Sequence, residues 1–342
     1  MTDDRVVGEV KRIFEDVGAL AVRLRARRSA APMRPLASGD PIVDATRRER
    51  ARLVAKGVDG LAKVAEGRER ALDRDERLGM RAIILLEGRP AILIQGGDFG
   101  EPPQGWARLA EHRERIREVI ARSGRIEVRG HLDLDWLGTA FLVAPETLMT
   151  NRHVAQELCL RDGERWTFRP GLTTRVDFLR ERGNAAALEF EITEVIGIHE
   201  RRDLALLGVR SASSDGRALP DSLSVAASEP ANLPERDVYV VGYPALDTRR
   251  NEPAPIRRIF ADVFDVKRLQ PGRTVGYSTE HSAIQHDCST LGGNSGSPVV
   301  DLESNQVIGL HFGGRFGVGN YAVPLWELAA DPLLRRGGLS FQ

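Results

Sequence analysis

Three short segments of this 342-residue chain carry residue types that together do nucleophilic chemistry. Histidine stands in Leu148-Met-Thr-Asn-Arg-His153-Val-Ala155, aspartate in Arg202-Asp203-Leu-Ala-Leu-Leu207, and serine in Leu291-Gly-Gly-Asn-Ser295-Gly-Ser-Pro-Val299. A serine hydroxyl is a weak nucleophile near neutral pH. It needs a neighbouring base, and that base needs an acidic group to fix its tautomer and stabilise its cation. The glycines around Ser295 serve a further need, because they let backbone N–H groups converge on one focus, which is what an oxyanion requires. Gly293 and Ser295 are the expected donors. Each segment alone also has a plain structural reading: Gly-Asn-Ser-Gly as a turn, His153 as a residue packed beside a strand, Asp203 as a strand-start residue. The order His, Asp, Ser, each in its own local frame, favours the chemical reading.

These residues need a scaffold, and the chain reads as two regimes. Up to about residue 122 it is rich in Arg, Glu, Ala and Leu. Val6, Val10, Ile13, Val17, Leu20 and Leu24 recur at steps of three and four, the period of one helix face. Ser29 to Pro41 reads as a linker. Val54, Val58, Leu61 and Ala65 predict a second helix, and Trp106 to Ile120 a third. Ile83–Leu86 and Ala91–Gln95 flank a turn-like Glu87-Gly88-Arg89-Pro90 and predict a short hairpin.

From Ser123-Gly124 onward, short apolar or alternating runs follow one another, separated by turns rich in Gly, Pro, Asp and Asn. They are Ile126–Val128, Thr139–Val143, Val176–Leu179, Leu188–Ile192, Leu204–Val209, Val238–Val241, Ile259–Val263, Val307–His311 and Tyr321–Val323. Many strands without intervening helices predict antiparallel β structure, and the span is long for one sandwich and suits two barrels. Leu325 to Arg336 reads as a terminal helix. The fold class is therefore α+β: a mostly helical domain over 1–122 and an all-β domain over 123–342.

Composition excludes several alternatives. Lys+Arg and Asp+Glu both number 49, so the formal net charge is zero and no nucleic-acid partner is expected. Arg23, Arg25, Arg27 and Arg28 form one basic cluster, which reads as a solvated face. No apolar run approaches a membrane span, and no secretory leader is read at the N-terminus, so the expectation is a cytoplasmic protein without membrane contact. The two cysteines, Cys159 and Cys288, read as reduced, packed thiols. The seven histidines are scattered without zinc-ligand spacing, so neither metal nor cofactor is expected.

Taken together, Thr150-Asn-Arg-His153-Val, Asp203-Leu-Ala-Leu-Leu and Gly292-Gly-Asn-Ser295-Gly-Ser-Pro resemble the histidine, aspartate and serine motifs of the trypsin-like serine peptidases, in the bacterial branch that includes the glutamyl endopeptidases. The resemblance covers about residues 124–330. It implies a double β-barrel, with His153 as general base and acid, Asp203 as its orienter and Ser295 as nucleophile of an acyl-enzyme. It further implies a substrate pocket built from Thr290, five residues before Ser295, and the strand Gly309-Leu-His311-Phe-Gly313-Gly314, suited to an acidic P1 side chain. Arg315 would add positive potential.

The expected function is a bacterial, intracellular serine endopeptidase acting on protein or peptide substrates. The helical region is either a restraint, through which an activating partner works, or a packing appendage. The alternative is a catalytically latent protease fold used for binding or signalling.

Overall fold

In the computed structural model, which describes residues 4–30, 41–163, 165–246, 260, 263–315 and 319–342, the apolar runs of the second half are strands. Six of them, β3 (Ser123–Arg129), β4 (Trp136–Ala144), β5 (Thr147–Thr150), β8 (Thr173–Asp177), β9 (Glu189–Ile198) and β10 (Ala205–Val209), close into a barrel in the order β10-β5-β4-β3-β8-β9. A second set runs β11 (Asp237–Gly242), β14 (Pro298–Asp301), β15 (Val307–Arg315), β16 (Gly319–Pro324), β13 (Ala283–His286) and β12 (Arg268–Ser278). The pairing of β11 with β12 closes it as well. All neighbouring strands are antiparallel. The double barrel implied by the three motifs is present.

The runs lack clean alternation because both strand faces are buried. Along β4, Ala140 and Leu142 fill the first barrel, whereas Phe141 and Val143 join a second cluster outside it. Along β11, Val238 and Val240 fill the second barrel, whereas Tyr239 and Val241 turn to that same outer cluster. A strand with two apolar environments reads as a continuous apolar run.

Helices precede the barrels: α1 (Asp4–Ile13), α2 (Val17–Ala30), α3 (Pro41–Ala65) and α4 (Arg74–Ile83). Their core holds Val6, Val10, Leu20, Leu24, Val58, Leu61, Met80 and Ile83. The single periodic stripe from Val6 to Leu24 is two helices, because Asp16 accepts the Ala19 N–H and starts a new one. At α4, Asp73 and Glu76 form a capping box.

The compact units divide at Pro90–Ala91, ahead of the expected boundary at 122. The intervening elements belong with the barrels. Ile94 and Phe99, with Leu109 of α5 (Arg108–Glu111) and Ile116, Val119 and Ile120 of α6 (Arg113–Arg122), add their apolar faces to the outer barrel cluster.

Two local expectations are corrected. The hairpin is not formed across residues 87–90, since Ile84–Gly88 continues α4 as a π-turn. It forms one segment later, where β1 (Ile92–Gln95) turns through Gly96-Gly97 into β2 (Asp98–Phe99) and β1 extends the second sheet from β12. The terminal helix is broken into a 3₁₀ turn at Trp326–Leu328 and α8 (Pro332–Arg336), where Asp331 accepts from Leu333 and Leu334 N–H. The linker beyond Ala30 and most of the expected strand Ile259–Val263 fall outside the described residues.

Candidate active site

His153 sits in the first turn of α7 (Arg152–Leu158), directly after β5, and Asp203 lies in the turn between β9 and β10. Strands β5 and β10 pair antiparallel with Thr150 opposite Ala205, so both residues emerge at the same barrel end. The Asp203 carboxylate accepts twice from His153: Oδ1 from the backbone N–H at 3.0 Å and Oδ2 from ring Nδ1 at 2.7 Å. With its proton on Nδ1, the ring keeps a lone pair on Nε2.

The turn bearing Asp203 is fixed from the histidine side. Asn151 Nδ2 donates to the Asp203 carbonyl at 2.9 Å. Arg152 donates to the carbonyls of Arg202, at 2.5 Å, and of His199. Thus the Asn-Arg pair before His153 is structural apparatus for the His–Asp contact. Sequence reading included both residues in the motif without assigning them this role.

Ser295 is half-buried in the loop joining Leu291 to β14. This loop is anchored by β4 through one residue. Thr139 donates its N–H to the Ser295 carbonyl at 2.9 Å and its hydroxyl to the Gly293 carbonyl at 2.9 Å. Thr139 is in turn held by Thr150, whose hydroxyl donates to its carbonyl at 2.8 Å. Gly293 and Gly296 both have positive φ, +84° and +88°. Both are also crowded: a Cβ on Gly293 would lie 2.4 Å from the Tyr243 carbonyl oxygen, and one on Gly296 2.0 Å from the Thr139 oxygen. Glycine is required at both positions on both counts.

The Gly292 carbonyl accepts from Ala245 N–H, which orients the peptide between residues 292 and 293. In a trans peptide the N–H points opposite the carbonyl, so the Gly293 N–H is directed away from Ala245. Among the described residues neither the Gly293 nor the Ser295 N–H has an acceptor. Unengaged backbone donors beside a nucleophile are the kind of group that an oxyanion takes. The buried Asn294 side chain completes the loop. It donates to the Leu291 carbonyl at 3.3 Å and accepts from Gln270 Nε2, on β12, at 3.0 Å.

His311 ties β15 to this loop. Its carbonyl accepts from Gly296 N–H and its N–H donates to the Ser297 carbonyl, each at 2.9 Å. Burial, then His286, then His153 push its imidazole well below the usual histidine range. Thr150, in the histidine segment, bonds Thr139, which bonds the Gly293 and Ser295 carbonyls, so the histidine segment and the serine loop meet through β4. The Ser295 hydroxyl and His153 Nε2 make no mutual hydrogen bond. Such contacts tighten when substrate binds.

Thr290 is buried and donates its hydroxyl to Asn320 Oδ1 at 2.7 Å. Asn320 on β16 stands opposite both His286 and Gly314, which brings Thr290 to the sheet face shared by His286 and His311, whereas Gly313, across the bulge, stands opposite Tyr321. A side chain at Gly313 would meet open space. The Arg315 side chain lies outside the described residues. His199, without a partner in the sequence reading, pairs with Asp331 at 3.2 Å, and His286 pairs with His311. Burial pushes the Cys159 thiol up to about 11, in keeping with a packed residue.

A profile of the trypsin-like peptidase domain matches residues 138–310, spanning the histidine, aspartate and serine segments. This chain belongs to the trypsin-like peptidases. Among curated proteins, a probable serine protease of Lysobacter enzymogenes is 28% identical over 313 residues, covering 81% of this chain and 80% of that protein. A glutamyl endopeptidase of Staphylococcus aureus is 66% identical over 32 residues, 9% of this chain and 10% of that one. Among solved structures, the active form of the Rv3671c protease of M. tuberculosis aligns with a TM-score of 0.44 and 21% identity, covering 73% of this chain and 92% of that one. As a member of the family, the protein is a serine protease, a hydrolase of peptide bonds.

Proposed function

We propose that the protein is an endopeptidase in which Ser295 attacks the substrate carbonyl, His153 Nε2 takes and returns the proton, and Asp203 holds the ring. The Gly293 and Ser295 N–H groups bind the oxyanion. The observation that carries this reading is the double contact of Asp203 with His153, which leaves His153 Nε2 as a base at the barrel end that also receives the serine loop. The reaction then runs by acylation of Ser295 and hydrolysis of the ester.

The shared sheet face of Thr290 and His311, with open space beside Gly313, supports a P1 side chain ending in a carboxylate, with His311 as the hydrogen-bond donor. The same face suits glutamine less, because a neutral carboxamide oxygen makes the weaker bond.

A cytoplasmic, bacterial setting and a restraining role for the N-terminal helices complete the proposal. The helices have their own core and cap signals, which supports a unit with a separate task.

A fluorophosphonate probe tests the central claim. Label is expected on Ser295 in the wild-type protein and none in Ser295→Ala, with peptide turnover lost in parallel. Undiminished turnover in that variant would remove Ser295 from the mechanism. Removal of residues 1–90 tests the restraint, and an unchanged rate and substrate range would argue for a packing appendage.

A further inference from the structure

Behind the specificity strand lies a pair of buried imidazoles for which the catalytic reading has no use. His286 at the end of β13 is 0% exposed and His311 on β15 is 2% exposed. Their rings meet edge to face, with His286 Nε2 3.1 Å from His311 Nδ1. Burial pushes His286 down to about 4 and His311 well below the usual range, with Asp287 the minor opposing influence on His286. Both rings are therefore neutral near pH 7, and a single proton occupies the hydrogen bond between them.

The two outer nitrogens decide which ring donates it. His286 Nδ1 is sealed from solvent and has no partner. His311 Nε2 also has no protein partner among the described residues, and His311 is the ring of the pair that keeps some exposed surface, 2% against 0% for His286. If His311 donated, His286 would carry its own proton on the sealed Nδ1, leaving a buried N–H unsatisfied. If His286 donates, the sealed atom is a bare lone pair. A buried donor without an acceptor is the rarer arrangement.

We infer that His286 is a positioning residue for P1 recognition: its Nε2–H donates to His311 Nδ1 and holds His311 as the tautomer that presents an Nε2–H donor to the pocket. This rests on the P1 reading above. It also sharpens it, because the other pocket hydroxyl is committed. Asn320 donates to the Cys288 carbonyl at 2.7 Å, which turns its Oδ1 toward Thr290, and Thr290 gives its proton to that oxygen. Thr290 then offers lone pairs only, and Gly313 offers no side chain. The donor for a P1 acceptor oxygen is His311, in the tautomer His286 enforces.

Two measurements on the full chain test this separately. In a long-range ¹H–¹⁵N spectrum of histidine-labelled protein at pH 7, assigned with His286→Gln, His311 is expected protonated at Nε2 and bare at Nδ1, and His286 likewise. A bare His311 Nε2, or a cationic ring, overturns the inference whatever the substrate preference. In the second, peptide anilides with P1 Glu, Gln or Ala are compared. His286→Leu is expected to lower kcat/KM for P1 Glu about tenfold, the size of one lost hydrogen bond, and to leave P1 Ala within twofold. His286→Gln, which keeps an N–H at similar reach, is expected to restore most of the loss. An equal fall on both substrates overturns the positioning role. Equal rates on P1 Glu and P1 Ala in the wild type overturn the acidic P1 reading instead, and leave the spectrum to decide the ring pair.

Discussion

Asp203 holds His153 at two atoms, accepting the backbone N–H on Oδ1 at 3.0 Å and the ring Nδ1–H on Oδ2 at 2.7 Å. The first contact places the main chain of the base and the second sets its tautomer. An amide cannot do both, since one of its two polar atoms is a donor. Asp203→Asn is expected to lower kcat by about 10⁴-fold, with the rate of fluorophosphonate labelling falling in parallel and the melting temperature nearly unchanged. A fall of only about tenfold would show that the ring keeps its tautomer without the carboxylate.

Gln270 and Asn294 form a neutral, fully buried link beneath the serine loop. Replacing Gln270 by Leu leaves Asn294 Oδ1 without its donor and lets the loop relax, at a cost of about 1–3 kcal/mol. Because the proposed mechanism places the oxyanion donors, and not the P1 pocket, on this loop, kcat is expected to fall roughly tenfold or more while KM stays within about twofold. Steady-state kinetics on one peptide substrate separate the two constants. A change confined to KM would place Gln270 in substrate binding instead.

Lys267 is fully buried, with Nζ donating to the Ile120 carbonyl at 2.7 Å and the Phe178 carbonyl at 2.6 Å. Burial pulls its ammonium down to about 8, although Glu181 and Asp177 oppose this. The folded pKa lies below the unfolded one, 10.5. Between those values the unfolded chain holds the extra proton, so this residue makes stability rise with pH through that window, by up to about 1.4 kcal/mol per unit. Below pH 8 the cost of the buried charge is present in full. Urea unfolding should therefore show the advantage of wild type over Lys267→Met growing from pH 8 to pH 10. A constant gap would show that Lys267 titrates alike in both states.

In the N-terminal unit, α3 and α4 touch backbone to backbone. A Cβ on Gly79 would lie 2.2 Å from Gly57 N and 2.3 Å from the Leu53 carbonyl oxygen. Neither atom belongs to a flexible side chain, so Gly79→Val is expected to cost on the order of 3 kcal/mol and loosen this unit. Limited proteolysis should then cut within residues 1–90, while Ser295 in the barrel unit still takes the probe. Loss of labelling together with the helical core would tie the active site to that core.

Much of the architecture, and the residues proposed for the chemistry, could be read from residue types and their spacing. His153, Asp203 and Ser295 were legible because each stands in a local frame that chemistry constrains: a base after a strand, an acid before one, a serine among glycines. Most strands of the two barrels were legible as apolar runs, though β5, β12, β13 and β14 were not, and several helices were legible as periodic stripes. What the tertiary structure decided is what lies between distant segments. Thr139, Gln270, Arg152 and His286 act through partners 24 to 154 residues away, and nothing in their neighbours marks them. The unit boundary moved to Pro90 for the same reason, since the apolar faces of β1 and α6 are complete only against barrel residues. Local sequence fixes residue type and backbone preference. Which polar atom meets which, and which tautomer results, depends on closure of the barrels around them.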